Sequence, residues 1–204
     1  MKKKDQITVD KVKAIFRQHE GILRTGEALG YGIHPKTLYA MRDGGLLETL
    51  SRGLYRLKDV PLTGSDDLIT VAHRIPRARI CLISALSFHG ITTQIPHEVY
   101  CAIPRDIHRP RVDYPPVRFF RFSESSYSDG VESHTMNGTK VHIYNVEKTL
   151  ADCFKYRNQL GMDTVLEALH LYRERKPLKV DSLLAHARIC RVYNVLAPYL
   201  EAVL

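Results

Sequence analysis

Tryptophan is absent and cysteine is scarce: Cys81, Cys101, Cys153 and Cys190 stand far apart, with no CxxC pair. Nothing near them has the His/Cys spacing of a zinc site, so buried, reduced thiols of a cytosolic protein are expected. His186 and Cys190 are four apart on a predicted helix. Two such groups are too few for a metal site, and neither metal nor cofactor is expected. Long apolar runs are also missing. The longest, Ala78 to Ile91, is interrupted by Ser84, Ser87 and His89 and is too short to span about 30 Å of hydrocarbon. Met1-Lys2-Lys3-Lys4 is followed by polar, amphipathic sequence instead of a signal core. A cytoplasmic protein without a membrane partner is the expectation. Acidic residues are the minority, 22 against 30 Lys and Arg, for a net charge of +8. That imbalance favours an anionic partner.

The stretch that says most is Ile22 to Leu57, which reads as two short helical pieces, a tight break and two short strands. Thr25 is suited to cap the first piece and Gly30 to end it in a left-handed conformation. Tyr31-Gly32-Ile33 is the break. His34 sits at the cap of the second piece, Pro35 fills the first helical position, and Gly44-Gly45 stops it. Leu38 and Met41 then face inward, which leaves Lys36, Thr37, Tyr39, Ala40 and Arg42 off that seam. Leu46 to Leu50 and Leu54 to Leu57 are apolar runs around Ser51-Arg52-Gly53, a predicted hairpin with a basic tip. Helix, glycine-containing break, second helix and hairpin make a winged helix-turn-helix, whose second helix enters the major groove. Arg52 then has a phosphate or the minor groove within reach.

The rest of the chain supports an α+β fold, with a winged helix-turn-helix over residues 1–60 and a mixed α+β C-terminal domain over 65–204 that ends in helices. Thr8 starts a helix with Val9, Val12, Ile15 and Phe16 on one face, closed by Gly21. Lys11, Lys13 and Arg17 lie off that face. Lys58 to Ser65 reads as a linker with Pro61 and Gly64, and Ser65 caps a helix with Leu68, Val71, Ala72 and Ile75. Ile80 to His89 is apolar nearly all round and predicts a buried helix. Strands are predicted at Glu98 to Ile103 and Val117 to Phe122, joined by a basic loop. In and beside that loop Arg105, Arg109, Arg111 and Arg118 make a possible second anion-binding surface, with Arg121 nearby. Asn137-Gly138 marks a hairpin between Val131 to Thr135 and Lys140 to Tyr144. Helices follow, capped by Asn145 and Asp181 and started by Gly161-Met162-Asp163, with a last segment through Val195 and Leu200.

Taken with the winged motif, Ser84-Ala85-Leu86-Ser87-Phe88-His89-Gly90-Ile91 and Tyr144-Asn145-Val146-Glu147-Lys148-Thr149-Leu150-Ala151-Asp152-Cys153-Phe154 give a chain that resembles the AbiEi family. These are antitoxins and transcriptional regulators of abortive-infection, or phage-defence, toxin-antitoxin systems. The resemblance implies a DNA-binding antitoxin that represses its own operon by binding double-stranded promoter repeats. It also implies a nucleotidyltransferase toxin as functional partner, opposed without a tight complex, with the C-terminal domain needed for antitoxicity. Lys36, Thr37, Tyr39, Arg42 and Arg52 are the residues expected to meet DNA. Gly26 departs from a good helix former inside the first short helix.

Enzymes are the rival class. Gly64-Ser65-Asp66-Asp67 resembles the opening of a nucleotidyltransferase site, but the next acidic residues, Glu98, Asp106 and Asp113, do not form the required pair on a strand. Glu174-Arg175-Lys176 is a poor nuclease motif without an upstream partner. No nucleophile, base and orienter assemble, so a non-enzymatic protein is expected. A toxin-binding interaction protein is the third class.

Overall fold

Val12, Ile15 and Phe16 recur at the helical period and form α1 (Val9–Gln18), with Val12 and Phe16 buried. Val9, at the helix start, is exposed. The computed structural model describes residues 9–60 and 64–203. Thr8, Pro61 and the basic Met1–Lys4 stretch lie outside the described residues, as does the Ser65 side chain. The chain falls into two compact units, the first reaching Arg74 and including Thr135–Thr139, the second holding the rest.

In the first unit a strand, β1 (Ile22–Arg24), precedes α2 (Thr25–Gly30) and α3 (Pro35–Asp43). Strands β2 (Leu47–Ser51) and β3 (Leu54–Leu57) follow, and α4 (Gly64–Arg74) closes the unit. The sheet order is β1-β3-β2, with antiparallel pairing on both sides of β3. The sequence pattern gives no sign of β1, because three residues are too few for a strand period to register. Thr25 is the first helical residue of α2 and not its cap. Glu27 instead reaches back to accept the Arg24 N–H at 2.8 Å, one half of a capping box. The left-handed glycine after α2 is Gly32, at φ +79, and Gly30 is the last helical residue. Side chains from all of these elements except α4 meet in one core that includes Phe16, Leu23, Ala28, Ile33, Leu38, Met41, Leu47 and Tyr55.

The helix expected to open the second domain groups with the first unit. Arg74 of α4 donates to the Leu50 carbonyl at 2.8 Å, and His73 Nδ1 lies 2.9 Å from Ser51 Oγ, so α4 is tied to β2. Leu68, Val71 and Ile75 are buried as the apolar stripe predicts, and Ile69 joins them.

The second unit is built on a five-stranded sheet of order β6-β5-β4-β8-β7. Its strands are β4 (Arg79–Ile80), β5 (Val99–Pro104), β6 (Val117–Phe122), β7 (Val131–Met136) and β8 (Thr139–Tyr144). β5 runs antiparallel to β4 and parallel to β6. The predicted helix from Ile80 is shorter: Ile80 pairs with Cys101, and α5 (Leu82–Phe88) begins after Cys81. A short apolar run reads alike as strand or buried helix, and only the flanking strands β5 and β8, which meet Ile80 at Cys101 and Ile143, separate the two. Between β7 and β8, Asn137 at φ +45 and Gly138 at φ +71 form the two left-handed positions of a tight hairpin turn. A short helix, α6 (Glu124–Ser128), follows β6.

Among the described residues the unit is completed by helices α7 (Val146–Lys155), α8 (Arg157–Leu160), α9 (Met162–Arg173), α10 (Val180–Ile189) and α11 (Tyr193–Val203). Asn145 caps α7 by accepting the Lys148 N–H at 2.8 Å, as its position predicts. Asp181 falls in the first turn of α10, and Lys179 holds the cap position. Every residue of α7 from Glu147 to Phe154 is buried. Among them Lys148 and Asp152 pair at 2.5 Å with neither side chain exposed. The Lys148 ammonium lies 4.4 Å from the Tyr144 ring centre and 4.8 Å from that of Phe122. Cys190 donates to Asp152 at 3.1 Å. Burial pushes the Asp152 carboxyl above its ordinary value even with Lys148 pulling the other way, because removing a charge from water is costly. His89, read as structural, lies with Nε2 2.7 Å from the Tyr144 carbonyl.

Candidate nucleic-acid interface

Helix α3 starts where His34 Nδ1 accepts the Lys36 N–H at 3.2 Å and Pro35 takes the first helical position. It stops at Gly44-Gly45, with Gly45 at φ +74. Leu38 and Met41 are buried, while Lys36, Tyr39, Ala40 and Arg42 are exposed and Thr37 is half-buried. One face is thus anchored in the core and the other is open along its length.

Arg42 is pre-set on that open face. Its guanidinium lies 5.0 Å from the Tyr39 ring centre, and both Nε and Nη2 reach Asp43 Oδ1 at 2.8 Å. The hydrogen bond to Asp43 raises the Arg42 pKa further above its already high value. The carboxylate also offsets part of the positive charge that α3 offers an anion, which the spacing of Leu38 and Met41 does not reveal.

The β2–β3 hairpin adjoins α2 through Thr25, whose N–H and hydroxyl both donate to the Gly53 carbonyl, at 2.8 and 3.3 Å. Gly53, at φ +77, turns the tip, and Arg52 beside it is exposed. Behind the tip, burial followed by the charges of Arg24 and Arg74 lowers the His73 pKa. Not every basic residue of the unit is available. Arg56 pairs with Glu48 at 2.7 Å and Arg17 with Asp59 at 2.7 Å.

The expected second basic surface divides. Arg105, Arg109 and Arg111 are exposed in the loop between β5 and β6, and Arg118 is half-buried on β6. A cleft of about 530 Å³ brings Arg109 and Arg118 together with Arg121, Glu98, Tyr156 and Gln159; Arg105 and Arg111 do not line it. Arg118 lies 3.6 Å from Glu98 and between 5 and 6 Å from the ring centres of Tyr100 and Phe120, at 5.6 and 5.5 Å. Burial pushes the Tyr156 phenol up to about 12, so it stays protonated. Arg121 was visible as a charge on a predicted strand. Tyr156 and Gln159 carried no signal, since only the packing of α7 and α8 brings them to β6.

Among the described residues no three His, Cys, Asp or Glu side chains are grouped as a metal ion requires. Asp66 is buried in α4 and Glu174 caps the end of α9. His186 and Cys190 turn to different carboxylates, Asp129 at 2.7 Å and Asp152 at 3.1 Å. No helix of the described residues is long and apolar enough to cross a membrane.

Comparison with curated proteins gives no match. Among solved structures, the fold is similar to that in the crystal structure of RV2827C protein from Mycobacterium tuberculosis, with a TM-score of 0.52 over 93% of this chain and 79% of that one. At 11% identity the likeness is one of fold alone. Residues 10–58, from α1 to the end of the hairpin, match the family model described as transcriptional regulator, AbiEi antitoxin.

Proposed function

We propose that residues 9–60 act as a winged helix-turn-helix that binds double-stranded DNA in a sequence-specific way, and that the protein is a repressor of its own promoter. In this reading α3 enters the major groove. Lys36 and Thr37, at its N-terminal end, lie closest to the base edges and phosphates, Tyr39 and Arg42 line the same face, and Arg52 at the hairpin tip meets the backbone or minor groove. The observation that carries the reading is the division of α3: Leu38 and Met41 locked in the core, Lys36, Tyr39 and Arg42 open to solvent, and a basic hairpin tip held to α2 by Thr25. Covered residues at those positions, or no adjoining hairpin, would have removed it.

The description of the matched segment supports a regulator that is also an antitoxin, and the resemblance drawn from the sequence adds a nucleotidyltransferase toxin as its functional partner. A non-enzymatic role is part of the same reading. Footprinting on the DNA upstream of the protein's own gene tests the proposal. Protection of repeats is expected, with affinity falling steeply as salt rises because bound counterions are released. Lys36→Ala should reduce that salt dependence by about one ion, and Arg42→Ala should cost about 1–3 kcal/mol of binding if it reads a base. Unchanged affinity in both variants overturns the assignment of α3.

A further inference from the structure

The five-stranded sheet ends at β6, whose one hydrogen-bonded neighbour among the described residues is β5. In a parallel pair, alternate residues send both backbone groups to the neighbour and the residues between them send theirs away. Val99 donates to the Pro116 carbonyl at 2.8 Å, and Val99 stands in register with Val117. Arg118 and Phe120 therefore bond to β5, while Val117, Phe119 and Arg121 direct N–H and C=O outward. Among the described residues no backbone group pairs with those outward ones.

The cleft of about 530 Å³ lies along this edge, because Val117 to Arg121 line it consecutively. A pocket on one face of a sheet would be lined by alternate residues, since successive side chains point to opposite faces. Its charge is one-sided. Arg109, Arg118 and Arg121 line it, and the one carboxylate among the lining residues, Glu98, is already beside Arg118. Charged side chains on an edge strand guard it against pairing with its own kind. Two copies of this arginine-bearing edge repel each other, whereas a chain carrying carboxylates is drawn in.

We propose that the outer edge of β6 is a docking groove for an extended acidic peptide segment of a partner protein. The segment joins the sheet as an added strand on the backbone of Val117, Phe119 and Arg121 and sets Asp or Glu side chains against Arg109, Arg118 and Arg121. The proposal is independent of DNA binding by the first unit.

The test uses the full chain and a blocked ten-residue peptide of alternating Glu and Val, followed by fluorescence anisotropy and residue-resolved amide exchange. Saturable binding is expected, with exchange at Phe119 and Arg121 slowed at saturation. The double variant Arg118→Gln/Arg121→Gln should weaken binding at least about tenfold, the scale of losing charge-assisted contacts at an interface. A peptide N-methylated at every position keeps its carboxylates but cannot pair, and should bind at least as poorly, with the protein itself unchanged. The proposal is overturned by an absence of saturable binding, by unaltered exchange at Phe119 and Arg121, or by equal affinity for the N-methylated peptide. It is equally overturned if pyrophosphate or a DNA duplex slows those two amides and the peptide does not, which would mark a phosphate site.

Discussion

Helices α3 and α7 both begin at a side-chain cap, His34 in one case and Asn145 in the other, yet they are used in opposite ways. α3 buries Leu38 and Met41 and leaves a basic face open. α7 buries every residue from Glu147 to Phe154, including Lys148 and Asp152. The charges of α3 keep their hydration and can exchange it for an anion, while those of α7 have been taken out of water and must satisfy each other. A charged residue in a capped helix is therefore a surface tool in the first unit and part of the scaffold in the second.

The largest effect should come from breaking the buried pair. Lys148→Met leaves Asp152 without its cation, with only the Cys190 thiol still donating to it, and is expected to destabilise the second unit by about 3–5 kcal/mol, whereas Lys148→Met/Asp152→Leu should recover most of that loss. Denaturant unfolding of both variants measures the contrast; equal destabilisation would mean that packing, and not charge, decides the site. Next in size, Leu38→Ala removes an anchor of α3 and should cost the first unit about 2–5 kcal/mol. The unfolding of the second unit, followed by residue-resolved amide exchange, should stay where it is.

Smaller effects sharpen the comparison on the exposed side. Asp43→Asn releases Arg42 from its carboxylate and should tighten DNA binding a few-fold, with a steeper salt dependence in gel-shift titrations. Stability should hardly change, as for other exposed ion pairs. Identical binding would place Arg42 away from the phosphates.

The smallest expected effect is pH-dependent. Burial lowers the pKa of both His73 and His89 below 6.5. The unfolded chain therefore takes up protons that the folded one resists, and stability should decline as the pH falls below 6.5 toward the folded values. The denaturant midpoint at pH 7.5 and pH 5.5 measures this, and His89→Gln should reduce the difference.

Much of this molecule was legible locally. The His34-Pro35 start of α3, the Asn145 cap, the Asn137-Gly138 turn and the bounds of β3 and β6 each depend on residues within a few positions of one another, so their signals sit together in the chain. The misreadings have a common cause. β1 is a strand only because β3 lies beside it, and Ile80 pairs with Cys101 when its own neighbours suggest a helix. Thr25 carries a capping side chain but donates to Gly53, a residue far along the chain. At the interface, the exposed set of α3 followed from the spacing of Leu38 and Met41, but the grip of Asp43 on Arg42 did not.

By itself the sequence determined where helices start and stop, the excess of positive charge and the apolar seam of α3, since caps, composition and periodicity act over a turn or two. Tertiary structure alone decided which charges are spent internally, as with Arg17, Arg56 and Lys148, and which strand ends the sheet. Arg17 reaches Asp59 only through a distant part of the chain, and the Lys148–Asp152 pair, though one turn apart, is taken out of water only by the elements packed around α7; a charge is free or satisfied only with respect to what folding places next to it.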